Sequence, residues 1–195
     1  MSPTQLSLLQ PEKPGPEGFA YQPDLISPAE EQELLVAFRD LPFQEFEFQG
    51  YRGKRRVVSY GLRYDFNDGK LRQAEAIPGF LRPLRERAAG FAGIAASDLA
   101  QALVTEYAPG AGIGWHKDRS VFADVIGISL VSPCRFRLRR KASAGWERVT
   151  LAIEPRSAYL LRGEARAVWE HSIPPMESLR YSVTFRSMKA GPASA

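Results

Sequence analysis

The sequence predicts an α+β fold whose core is a β-sandwich or jelly roll. Two observations predict it: helix signals come early in the chain, and many short strand-like segments follow them. At 195 residues the chain is long enough for one domain with a substantial core and too short for two full ones.

Residues 1–18 contain Pro3, Pro11, Pro14 and Pro16 with Gly15 and Gly18, the composition of a flexible, extended tail. The domain is therefore expected to span residues 19–188, with residues 189–195 as a second flexible end. Ser27-Pro28-Ala29-Glu30 is a helix entrance, in which Ser27 caps, Pro28 fits the first position and Glu30 closes a capping box. Leu34, Leu35 and Phe38 form its buried stripe, and Leu41-Pro42 ends it. A second helix is expected from Phe80 to Phe91, with Leu81, Leu84 and Ala88 inward.

Strands take up most of the remainder. Phe43, Phe46 and Phe48 mark one, and Val57–Phe66 reads as another bent at Gly61. Gln101–Tyr107 stops at the turn signal Pro109-Gly110. Val125–Val131 is almost continuously apolar. Cys134–Arg140 alternates, with Phe136 and Leu138 on one face and Arg135, Arg137 and Arg139 on the other. Further strands are expected at Trp146–Ile153, Ala158–Arg162, Ala167–His171 and Leu179–Arg186.

Composition is that of a soluble globular protein, and no stretch has the apolar length to span a bilayer. The N-terminus lacks the pattern of a secretory signal, and the single cysteine, Cys134, fits a reducing compartment. A cytoplasmic monomer with no membrane partner is the expectation. The net charge of +4 matters less than its placement. Arg52, Lys54, Arg55 and Arg56 form one basic cluster, and Arg135, Arg137, Arg139, Arg140 and Lys141 form another. Such clusters suit nucleic-acid phosphates, or are simply solvated strand faces.

Both histidines of the chain lie where metal chemistry would need them. In Gly114-Trp115-His116-Lys117-Asp118, strand periodicity lets His116 and Asp118 face one ion, and His171 is the one remaining imidazole. Two imidazoles and a carboxylate form the facial set of non-haem Fe(II) oxygenases, which leaves positions open on the metal. The alternative for a His-x-Asp pair is a local hydrogen bond. Downstream, Arg180 and Arg186 are an even number of residues apart, with Ser182 and Thr184 between them. Two inward arginines suggest a dicarboxylate ligand gripped by a planar guanidinium, or pairing with protein acids such as Glu106 or Glu170.

These stretches resemble the AlkB family of Fe(II)/2-oxoglutarate dioxygenases, from about Phe19 to Ser187. The likeness is most specific in Thr105–Asp118 and in Arg180–Arg186, where Tyr107, His116, Asp118, His171, Arg180, Thr184 and Arg186 match the family pattern. The resemblance implies a double-stranded β-helix flanked by N-terminal helices and a nucleotide lid. It implies Fe(II) held by His116, Asp118 and His171, with 2-oxoglutarate and O2 as cosubstrates. Arg180 would meet the distal carboxylate of 2-oxoglutarate, Tyr107 would hydrogen-bond the cosubstrate, and Arg186 would lie near its iron-chelating end. The implied reaction is demethylation of N-methylated bases such as 1-methyladenine or 3-methylcytosine, releasing formaldehyde, succinate and carbon dioxide.

Three positions depart from the pattern. Thr105 and Ser182 stand where the family has Asn beside the cosubstrate, and Ser120 stands where the bacterial repair prototype has an acid that reads the base. The stretch Tyr51–Tyr64 resembles the lid of nucleic-acid demethylases, with Tyr60 and Tyr64 as candidate base contacts and Arg52, Lys54, Arg55 and Arg56 as candidate phosphate contacts. Core packing is the alternative for the tyrosines, and Trp115 would pack behind the histidine-bearing strand. Other possible targets are a modified RNA, a protein side chain or a small metabolite. A non-catalytic jelly roll that binds nucleic acid or stores metal is the reading from another class.

Overall fold

The computed structural model describes residues 15–48, 51–65 and 70–189, with backbone alone for strand residues 46–48, 51–53 and 64–65. Residues 1–14 and 190–195, most of the two expected tails, lie outside the described residues. Residues 15–18, read from composition as tail, are already bonded to the domain. The Glu17 carbonyl accepts from Ala165 N–H at 2.8 Å, and the Gly18 carbonyl accepts from Arg162 N–H at 2.9 Å.

Helix α1 (Pro28–Phe38) begins as its sequence dictates. Ser27 Oγ accepts from Glu30 N–H at 3.2 Å, and Glu30 Oε2 accepts from Ser27 N–H at 2.8 Å. Helix α2 (Arg82–Ala92) follows a single 3-10 turn at Gly79–Leu81 and stops at Gly93, whose φ of 67° suits glycine. A short third helix, α3 (Gly163–Ala167), corrects the expected strand at 167–171. Gly-Glu-Ala-Arg-Ala favours helix, and the strand starts only at Glu170. Among the described residues no helix is long and apolar enough to cross a membrane.

The strands are β1 (Phe19–Gln22), β2 (Gln44–Phe48), β3 (Tyr51–Tyr60), β4 (Leu62–Asp65), β5 (Lys70–Gln73), β6 (Leu99–Tyr107) and β7 (Ile113–His116) in the first half. The second half adds β8 (Phe122–Leu130), β9 (Cys134–Ala142), β10 (Gly145–Ile153), β11 (Ala158–Leu161), β12 (Glu170–Ile173) and β13 (Arg180–Met188). They form a seven-stranded sheet in the order β1-β11-β8-β13-β6-β3-β2, a four-stranded sheet in the order β10-β9-β12-β7, and a β4-β5 hairpin. β7 is the histidine-bearing strand expected from the sequence, though it stops at His116, while β1 and β5 were not foreseen, because their four residues show too little alternation to be read as strands.

The large sheet separates two apolar clusters. One lies under the helices, where Leu34, Phe38, Leu84 and Ala88 meet Val58, Val104, Ile126, Ile128, Val183 and Phe185. The other fills the space toward the small sheet with Tyr107, Val125, Phe136, Leu138, Tyr159 and Ile173. β13 lies between β8 and β6 and serves both: Val183 and Phe185 belong to the helix-side core, while Ser182 and Thr184 face the other way.

Glu31, buried on α1, fastens the helix to two turns of this sheet. Its carboxylate accepts from Val131 N–H at 2.8 Å and meets the Arg156 guanidinium at 3.4 Å. Val131 and Arg156 have φ of 73° and 62°, strained values for residues with side chains, which these contacts help to hold. Gly127 has a steric role. It pairs with Tyr159 across β8 and β11, and a Cβ there would sit 2.4 Å from the phenol oxygen. Gly127→Ala should therefore lower stability by about 1–3 kcal/mol through overpacking, as read by urea denaturation. Because Tyr159 lines the central cavity, the same variant should weaken ligand binding there.

Candidate metal and cosubstrate site

The second histidine reaches the first through strand register. In the small sheet His171 pairs directly with His116 on one side and with Leu138 on the other, so all three side chains share the inward face. The imidazole centroids are 4.2 Å apart. Asp118 is not on the strand, since β7 ends at His116. Its position is set by Arg186, whose Nε donates to Oδ1 at 2.8 Å and whose Nη2 lies 2.7 Å from the same oxygen. The other oxygen, Oδ2, lies 3.6 Å from His171 Nε2.

That last contact has the distance of an ion pair, yet the imidazole is neutral. Burial, followed by the neighbouring His116, pushes the His171 pKa down to about 3. Burial likewise lowers that of His116. Asp118 stays ionised: burial alone would raise its pKa, but the Arg186 guanidinium holds it well below the carboxylate range. Two neutral imidazoles and an anion are the protonation states that ligate a divalent metal. His116 Nδ1 lies 2.8 Å from the Gly114 carbonyl, and donating a proton there leaves the Nε2 lone pair free to bind a metal. Among the described residues no three His, Cys, Asp or Glu side chains already stand close enough together to hold a metal ion. The trio is convergent but open, with one carboxylate oxygen committed to Arg186.

A cavity of about 50 Å³ lies at this convergence. Its polar lining is Thr105, Tyr107, His116, Asp118, Tyr159, His171, Ser182, Thr184 and Arg186, and its apolar walls include Ile113, Val125, Phe136 and Ile173. A ligand larger than a few waters must part these side chains to enter. Thr105 and Ser182 are directly opposite each other across β6 and β13, so two short hydroxyls share one wall.

Arg180 is the strongest sign of a missing partner. It is fully buried, its Nε donates to Ser129 Oγ at 3.0 Å, and neither Nη1 nor Nη2 has a hydrogen-bond partner among the described residues. Its guanidinium carbon lies 5.0 Å from the centroid of the Tyr107 ring, which itself lines the cavity. A buried charge with two idle donors is costly, and two parallel N–H groups fit a carboxylate. The protein acids considered as partners are taken. Glu106 accepts from Arg56 at 2.8 and 2.9 Å and from the Tyr181 hydroxyl at 2.9 Å, and Glu170 accepts from Arg139 at 2.6 Å. The residues present therefore fit both a divalent metal and a dicarboxylate.

The substrate-side residues scatter. The side chains of Arg52 and Tyr64 lie outside the described residues. Tyr60 needs correction: it is 5% exposed in the helix-side core, on the opposite face of the sheet from the cavity. Arg56 shares that face and is engaged by Glu106, so it is not a free phosphate contact. Lys54 is exposed. Arg55, registered opposite Tyr107, falls on the cavity side, and burial lowers its pKa. Ser120 lines a separate cavity of about 400 Å³ that adjoins the first at Asp118 and is edged by Lys117, Arg166 and Lys189. Gln101 was missed. Its Oε1 accepts from Arg186 Nη1 at 3.0 Å, and its even spacing from Thr105 on β6 was the available signal.

Comparison with known proteins agrees with this geometry. The sequence profile described as the 2OG-Fe(II) oxygenase superfamily matches residues 18–186. A protein named "Alkylated DNA repair protein ALKBH8 homolog" from Arabidopsis thaliana is 33% identical over 91% of this chain and 60% of its own length. One named "tRNA (carboxymethyluridine(34)-5-O)-methyltransferase alkbh8" from Xenopus tropicalis is 28% identical over 82% of this chain and 26% of its own length. The chain thus spans at most about three-fifths of these relatives. The solved structure titled "The structure of OsALKBH1" superposes with a TM-score of 0.65 at 16% identity, covering 87% of this chain and 96% of that one, which establishes a shared fold. If Arg186 orients the Asp118 ligand, Arg186→Ala should weaken metal binding by about 10–100-fold in calorimetric titration with Co(II), with the fold retained.

Proposed function

We propose that this chain, which belongs to the 2OG-Fe(II) oxygenase superfamily as an AlkB-like member, removes alkyl groups from nucleic-acid bases by oxidation. The substrate class is N-methylated bases such as 1-methyladenine or 3-methylcytosine. The observation that carries the oxygenase half is Arg180, a buried guanidinium with two unpartnered nitrogens beside a cavity walled by His116, Asp118 and His171. The nucleic-acid half is supported by the printed names of the relatives and by the basic segments around Lys54–Arg55 and Arg135–Lys141.

In this reading His116, Asp118 and His171 hold Fe(II). Arg180 takes the distal carboxylate of 2-oxoglutarate, with Tyr107, Thr105 and Ser182 along the same pocket. With 2-oxoglutarate and oxygen, iron supplies the oxidising power, and succinate and carbon dioxide are the co-products. Each neighbouring side chain has a definable task. The Gly114 carbonyl holds His116 in its ligating tautomer, and Arg186 keeps Asp118 ionised and oriented. Ile113, Val125, Phe136 and Ile173 keep bulk water out. A hydroxylated N-methyl group then breaks down to formaldehyde and the free base.

A second reading places the modification on RNA. It is favoured by the tRNA enzyme among the relatives and by Ser120, which brings no carboxylate to the region where the repair prototype reads its base. Formaldehyde release from methylated DNA and RNA oligomers, dependent on Fe(II) and 2-oxoglutarate, tests the first reading. Succinate formation driven only by a modified RNA, without formaldehyde, would select the second. In either case Arg180→Ala should raise the apparent KM for 2-oxoglutarate by roughly 100-fold or more, since a buried charge loses its partner. An unchanged KM would remove Arg180 from the cosubstrate site.

A further inference from the structure

We propose that the outer face of the four-stranded sheet is a docking platform for a single strand of nucleic acid flanking the reacting base. This rests on the nucleic-acid reading above and adds a surface to it.

Strand alternation creates the platform. Because His116, His171 and Leu138 share the inward face, Trp115, Ser172, Arg137 and Arg139 are turned outward. The register of β10 on β9 extends the same face, with Trp146 opposite Lys141 and Arg148 opposite Arg139. Five cations therefore occupy one surface: Arg135, Arg137, Arg139, Lys141 and Arg148. Among the described residues Arg139 alone of these meets a carboxylate, that of Glu170 at 2.6 Å. Like charges directly opposite across a strand pair oppose folding, and a polyanion relieves that repulsion.

Two indoles are interleaved with the cations. Arg139 lies 4.4 Å from the Trp115 ring centroid and 4.1 Å from that of Trp146. Arg137 is 5.1 Å from Trp115, and Lys141 is 5.2 Å from Trp146. The stack pre-orders long side chains that would otherwise lose rotamer freedom on binding. Trp146 remains 37% exposed and offers a ring face to a base. Arg135, Arg137, Arg139 and Lys141 recur every second residue, about 6.6 Å apart, a spacing close to that of successive phosphates in an extended strand. A basic row with exposed aromatics is the chemistry of single-strand binding. An acidic peptide would use the charge and leave the indole idle.

The test uses the full chain and unmodified single-stranded DNA and RNA oligomers, with binding read by fluorescence anisotropy across a salt series. The double variant Arg135→Ala with Arg148→Ala leaves both indoles in place. It should flatten the slope of log K against log salt by about 1.4, since each lost phosphate contact on a single strand removes about 0.7. Trp146→Ala should weaken binding by roughly tenfold or more with the slope nearly unchanged. Both proteins should keep the wild-type melting temperature and the wild-type rate of 2-oxoglutarate turnover in the absence of nucleic acid. Unchanged affinity and slope in the double variant, with wild-type protein still binding and demethylating oligomers, would overturn the platform and leave the proposed function standing. Wild-type protein that binds polyglutamate but no oligomer would overturn both.

Discussion

The alternation of β13, pinned between β8 and β6, is the constraint on which the rest of the protein depends. One set of its side chains, Val183 and Phe185, locks the large sheet to the helices. The intervening set runs from Arg180 through Ser182 and Thr184 to Arg186 along the cavity side. A slip of one residue in either pairing would put charged and hydroxyl groups under the helices and aromatics into the cavity. Neighbours on both sides make that slip prohibitive. The polar line can therefore include a guanidinium that no carboxylate among the described residues neutralises.

That guanidinium shows how stability and chemistry trade against each other. Arg180 is buried with idle donors, and Val131 and Arg156 hold strained backbone, while the apolar packing of two clusters covers these expenses. The Glu31 carboxylate reduces one of them by serving both strained turns from α1. Arg180 has no such relief among the described residues. Its environment matches a ligand that comes and goes, whereas Arg186 is already paired with Asp118 at 2.7 Å.

Residues in the site were legible where type and spacing were both rare. Two histidines in the whole chain, one of them in a His-x-Asp pair, left little choice of candidate metal ligand, and the even spacing of Arg180, Ser182, Thr184 and Arg186 put them on one face of a strand. What could not be read was which face of a strand meets the cavity. In β3, alternation correctly separates Arg55 from Arg56 and Tyr60, but only the pairing with β6 shows that Arg55 goes inward toward Tyr107 while the other two go to the helix side. Asp118 escaped strand logic altogether, because it sits past the end of β7 and takes its position from a cation on a different sheet. The helix at Gly163–Ala167 was hidden because four good helix formers after a glycine, beside an apolar strand, leave too short a pattern.

The direct pairing of His116 with His171 carries a consequence for how this scaffold can diversify. Their separation is fixed by backbone hydrogen bonding between neighbouring strands, so the long connection between them has no say in it. Insertions, deletions or wholesale exchange of the turns around β9, β10 and β11 can therefore remodel the rim without disturbing the histidine pair beneath. A single pair of imidazoles can in this way be inherited intact while its surroundings change.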